Sequence, residues 1–109
     1  MFVETDIGTF RIGFFYDPSF GKRLSFPVNP KESIIYTFCS IQKKNQEWIN
    51  VAVGSAIKTK GDQFSKKLGR KIALTRALSN LASIMNFDRN TRKVFNKRIW
   101  VKYFETHSQ

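Results

Sequence analysis

Cysteine, histidine and acidic side chains are the scarce components of this chain. One cysteine, Cys39, and one histidine, His107, stand among 109 residues. A lone cysteine excludes an internal disulfide, and a thiol with no partner fits a reducing compartment. A lone histidine excludes sites built on paired imidazoles, whether metal centres or acid–base pairs. Only 8 Asp and Glu oppose 19 Lys and Arg. Asp62 and Asp88 are widely separated; Glu4, Asp6 and Asp17 lie closer in sequence but form no carboxylate motif of a metal nuclease. A glycine-rich phosphate loop is also missing. The expectation is a chain without catalysis, metal or cofactor. No apolar run approaches the ~20 residues of a membrane span, and no basic segment leads into an apolar one at the start. The expected location is cytoplasmic, with no membrane partner.

Aromatic residues are plentiful: 11 Phe, 3 Tyr and 2 Trp. A disordered basic tail lacks such residues, because it cannot offset its ordering entropy by burial. The length suits one domain spanning residues 1–109. Charge is sorted along that domain. Residues 1–57 carry 6 basic and 5 acidic side chains, whereas residues 58–102 carry 13 basic and 2 acidic ones. Folding such a segment concentrates like charge, which self-repulsion opposes. A solubilising surface usually mixes signs. The excess therefore points to a polyanionic partner, with nucleic acid as the leading candidate.

Periodicity predicts sheet first and helix second. Phe10, Ile12, Phe14 and Tyr16 alternate with Thr9, Arg11, Gly13 and Phe15, the period of a half-buried strand. Asp6-Ile7-Gly8 can turn a hairpin back from Phe2-Val3-Glu4. All three prolines, Pro18, Pro27 and Pro30, lie in 17–33, which reads as a long loop with a short extended piece at Leu24–Phe26. Ile34–Ile41 and Trp48–Ile57 read as an antiparallel pair joined by a polar turn at Lys43–Gln46. On the second of these, Ile49, Val51, Val53 and Ile57 are expected to share one face. Asp62 is a candidate N-cap for a long helix whose apolar arc runs through Phe64, Leu68, Ile72, Leu74, Leu78, Leu81 and Met85. Asn86-Phe87-Asp88 separates it from a second helix over Asn90–Tyr103, although Ile99–Tyr103 also has the composition of a strand. The expected class is α+β: an antiparallel sheet of three to four strands, then a long helix and a second C-terminal helix packed on one face.

The chemistry-bearing stretch is Lys58–Arg76. Lys58, Lys60, Lys66, Lys67, Arg70, Lys71 and Arg76 stand there against the single acid Asp62. Lysines near a helix N-terminus oppose the helix dipole, so their presence is better explained by a bound anion than by helix stability. A second cluster comprises Arg89, Arg92, Lys93, Lys97, Arg98 and Lys102. Arg89, Lys93 and Lys97 recur every four residues and would form one stripe, which is either a phosphate-binding surface or an ordinary exposed face. Trp100 and Tyr103 interleave with this charge; such rings either stack on bases or, more commonly, pack the core. Cys39, in an apolar strand, reads as a buried structural thiol.

Two resemblances add to this reading. Ser65-Lys66-Lys67, Gly69-Arg70, Ala73, Ala77-Leu78 and Leu81 resemble the last helix of a double-stranded-RNA-binding domain, and the strands ahead of them suit its sheet. The likeness covers residues 34–81, since that family begins with a helix where residues 1–33 read as strand and loop. It implies phosphate contacts from Lys66, Lys67 and Arg70. Gly8–Arg11, Thr37–Cys39 and Asp62–Leu78 together are similar to small basic proteins of phages and mobile elements. That similarity implies a mobile-element origin. The leading functional expectation is a non-catalytic nucleic-acid-binding protein, on DNA or RNA. The alternative is a phage counter-defence inhibitor, anti-CRISPR-like, that grips a host defence protein or ribonucleoprotein and blocks its nucleic-acid site.

Overall fold

The computed structural model describes residues 1–17, 35–58 and 66–107. Of the loop expected over 17–33, Asp17 instead ends a strand, and the rest, together with Lys60, Asp62 and Phe64, lies outside the described residues. Four strands come first: β1 (Phe2–Thr5), β2 (Gly8–Asp17), β3 (Ile35–Asn45) and β4 (Glu47–Lys58). Two helices follow, α1 (Lys66–Ile84) and α2 (Arg89–Thr106). The strands form one sheet in the order β1-β2-β3-β4, with every neighbouring pair antiparallel. The helices pack against this sheet, so the architecture is α+β as expected.

Turn chemistry sets the register. The Thr5 hydroxyl donates to the Gly8 carbonyl at 2.8 Å and accepts from the Ile7 amide at 3.3 Å. Gly8 has φ +136°, a conformation that a side chain would strain. The β3–β4 connection is tighter than the sequence suggested. Lys43, Lys44 and Asn45 all belong to β3, and only Gln46, at φ 63°, turns the chain. Long lysine stems can lie along a sheet, which keeps these residues in extended structure. The Lys43 stem lies over Gly8, and the Lys44 ammonium lies 5.4 Å from the Trp48 ring centroid.

The core forms between one sheet face and the two helices. Val3, Phe10, Ile12, Cys39, Ile41, Ala52 and Ala56 are buried from the strands, against Ala73, Leu74, Ala77, Leu78, Leu81, Phe95, Ile99 and Tyr103 from the helices. Phe10 meets Phe95 edge-on at 5.1 Å, and Phe14 meets Tyr103 at 5.9 Å.

The buried face of β4 differs from the expected one. Ile49, Val53 and Ile57 are about half exposed, and the helix-facing positions are Ala52, Gly54 and Ala56. A Cβ on Gly54 would lie 2.2 Å from both the Ala73 carbonyl oxygen and the Ala77 amide nitrogen. Helix α1 is therefore seated backbone-on-backbone, where only small residues fit. The same contact moves the helix's buried arc onto Ala73 and Ala77, leaving Leu68 exposed at 56 %. A bulge contributes too. Ile41 pairs with Ala52 but Gln42 pairs with Asn50, so Val51 is an extra residue that reverses the face parity.

Both sheet edges meet helix side chains. Arg76 Nη1 donates to the Ser55 carbonyl at 2.6 Å and Asn80 Nδ2 to the Val53 carbonyl at 2.7 Å, both on β4. Across the sheet, Arg98 Nε donates to the Glu4 carbonyl on β1.

Cys39 is fully buried, and desolvation pushes its thiol pKa up to about 12. The thiol is thus neutral at physiological pH and poorly nucleophilic. Folded protein at pH 8 is expected to resist a disulfide-exchange reagent that labels it promptly in urea. Because the folded pKa is raised above the ordinary 9.0, the neutral thiol's contribution to stability is complete below pH 9 and declines as pH climbs towards 12. Urea midpoints measured across that range check the sign.

Candidate nucleic-acid interface

Helix α2 is aimed by its ends and its buried edge. Helix α1 stops in a Schellman arrangement: Asn86 at φ 53° donates to the Ser83 carbonyl at 3.3 Å, and Phe87 donates to the Ala82 carbonyl at 3.0 Å. The Phe87 ring then packs on Phe95 at 5.4 Å. Asp88 caps α2, its carboxylate accepting from the Thr91 amide at 2.6 Å. That bond holds the Asp88 carboxyl below the usual carboxylate range. Phe95, Ile99 and Tyr103, four apart, are all buried and fix the rotation of the helix. Residues on the opposite side must then face solvent.

Arg89, Lys93 and Lys97 occupy that side, one turn apart, and all three are exposed. Over eight residues the stripe spans about 12 Å. Arg92 is exposed beside its start. Beyond Lys97, Trp100 stacks on Phe104 at 5.7 Å, and the Lys71 ammonium of α1 lies 5.5 Å from the Phe104 ring centroid. Lys67, one turn before Lys71, is exposed. The two basic clusters, separate in sequence, therefore meet along one helix layer. Trp100 is partly buried and Tyr103 fully so, which makes them packing residues first.

Among the described residues, Arg70, Arg76 and Arg98 of the anticipated bases donate hydrogen bonds within the protein. Arg70 Nη1 donates to the Tyr16 hydroxyl at 3.2 Å. This bond, with the Tyr103 hydroxyl alongside, raises the guanidinium pKa further. Arg76 and Arg98 hold edge carbonyls, although both remain exposed and a guanidinium has further donors to offer. Lys58 closes β4 and Lys66 opens α1, whereas Lys60 lies outside the described residues.

Charge is divided between the two layers. The helices carry eleven bases, five on α1 and six on α2, against the single acid Glu105. The strands carry Arg11, Lys43, Lys44 and Lys58 against Glu4, Asp17 and Glu47. Of the three acids grouped in the N-terminal sequence, Glu4 and Asp6 line a groove of about 610 Å³ between the β1–β2 turn and α2, together with Arg98. Asp17 stands at the far end of β2. Among the described residues, no group of three or more His, Cys, Asp or Glu could hold a metal ion. No described helix is long and apolar enough to cross a membrane.

No protein-family model, curated protein or solved structure matches the chain.

Proposed function

We propose that this chain is a non-catalytic nucleic-acid-binding protein whose helix layer takes the phosphate backbone. The observation that carries the proposal is the exposed stripe Arg89, Lys93 and Lys97 on α2, continued at its far end by Lys71 and Lys67 of α1. Packing so many cations into one layer is opposed by their mutual repulsion, and a polyanion offsets that repulsion by neutralising them. Phosphate contacts of this kind derive their free energy from released counterions and carry little sequence information. The resemblance of α1 to the phosphate-contacting helix of double-stranded-RNA-binding domains supports the same role for Lys67. Arg70, turned towards Tyr16, supports it less.

Salt dependence tests the proposal. With Lys67, Lys71, Arg89, Arg92, Lys93 and Lys97 on phosphates, duplex affinity is expected to fall about a thousandfold between 50 and 200 mM salt. A gel-shift panel of duplex and single-stranded DNA and RNA at those two concentrations reads it directly. Absence of binding to every nucleic acid at the lower salt would sink the proposal.

A further inference from the structure

The sheet face turned away from the helices carries a second cluster, built from residues distant in sequence. Phe2, Arg11, Gln42 and Asn50 stand abreast across all four strands. One row nearer the β3–β4 turn, Lys44 pairs with Trp48. The Trp48 ring is the centre of the group. The Arg11 guanidinium lies 4.6 Å from its centroid, the Lys44 ammonium 5.4 Å, and the Phe2 ring 5.7 Å. Arg11 Nε donates to Gln42 Oε1 at 2.7 Å, and Gln42 Nε2 donates to Asn50 Oδ1 at 2.8 Å. This relay fixes the guanidinium against the ring and ends on the exposed Asn50 amide. Phe2 is 59 % exposed.

We propose that this face binds single-stranded nucleic acid, with unpaired bases stacked on Trp48, Phe2 and the Arg11 guanidinium, and phosphates on Arg11 and Lys44. The inference rests on the nucleic-acid reading of the chain but uses the layer that reading leaves idle. Its chemistry follows from the composition of the cluster. Aromatic rings and guanidinium planes stack on the π faces of bases, and adjacent cations take the backbone. The Asn50 amide adds two N–H donors and, beside the bond from Gln42, one remaining acceptor lone pair for a base edge. Only unpaired bases expose their faces, so this surface selects single strands, whereas the α2 stripe has no such requirement. A second copy of the chain fits the face less well. A two-fold contact centred on Trp48 would bring Arg11 and Lys44 against their own copies, like charge on like.

Tryptophan fluorescence tests the assignment. In a Trp100→Phe chain, Trp48 is the sole tryptophan. Oligothymidylate and oligouridylate are expected to quench it saturably, and a blunt duplex of equal length much less. Trp48→Ala is expected to weaken single-strand binding roughly ten- to a hundredfold and to leave duplex binding unchanged. Exposed Phe2→Ala and Lys44→Ala weaken it in the same direction and guard against a folding defect in the Trp48 variant. Retained duplex binding with no quenching by single strands, or equal quenching by duplex, overturns this inference alone. Loss of binding to every nucleic acid by the unaltered chain overturns the helix-layer reading with it. Sedimentation showing a dimer that Trp48→Ala dissociates would assign the face to a second copy instead.

Discussion

Gly54→Ala is expected to destabilise the protein by about 3 kcal/mol or more, near the upper end for an added core methyl. The new Cβ would sit 2.2 Å from the Ala73 oxygen, 2.2 Å from the Ala77 nitrogen and 2.9 Å from the Ala77 Cα. All three are backbone atoms, so no rotamer change makes room. Helix α1 would have to rise from β4, parting Ala73 and Ala77 from Ala52 and Ala56. A loss of this size is a large share of the 5–15 kcal/mol that typically holds a domain folded. A lowered urea midpoint with a weakened near-ultraviolet signal is the expected readout. Gly13→Ala is the control, because its Cβ would meet only Ser40 Oγ, at an ordinary 3.5 Å. Equal midpoints for the two variants would show that α1 is not seated on β4 as described.

The second large effect concerns affinity. Arg89→Ala, Lys93→Ala and Lys97→Ala combined are expected to lower duplex affinity roughly 500-fold at 0.1 M salt. Each duplex phosphate contact contributes about 0.9 to the slope of log affinity on log salt, so three contacts contribute about 2.7 log units over the decade below 1 M. The salt slope itself should flatten by the same amount. All three side chains are exposed, so stability should hold or rise slightly as repulsion is relieved. Binding isotherms at several salt concentrations give both quantities. A folded triple variant with unchanged affinity and slope would remove α2 from the interface. Arg76→Ala is an informative contrast, since its first effect falls on the Ser55 carbonyl.

The elements were legible where one period dominated. Strict alternation through Phe10–Tyr16 marked β2, and the recurrence of Phe95, Ile99 and Tyr103 marked α2. The face of β4 was misread because size, and not polarity, governs that contact. A helix backbone pressed against Gly54 needs alanines beside it, and displaced valine and isoleucine turn outward. The single-residue bulge at Val51 compounded the error, being invisible until the partner strand is in register. The stripe on α2 was legible because helical spacing alone defines it. Its junction with Lys71 was not, because only tertiary packing brings Phe104 beneath that lysine. The cluster around Trp48 escaped for a similar reason: Phe2, Arg11, Gln42 and Trp48 become neighbours only once three strand registers are known. Arg70, Arg76 and Arg98 looked equivalent to their neighbours until their partners were seen.

Arg76 and Arg98 couple two properties that look independent. An open sheet of four antiparallel strands has two free rims, and an uncovered rim is a template on which another chain can add a strand, the first step towards fibrils. Here Arg76, Asn80 and Arg98 occupy carbonyls along both rims. Two of these three groups are arginines, so part of the basicity covers the sheet's own rims, a task separate from the polyanion binding proposed for the helix layer. Selection for weaker polyanion attraction would be free to erode the α2 stripe but not the arginines at the rims.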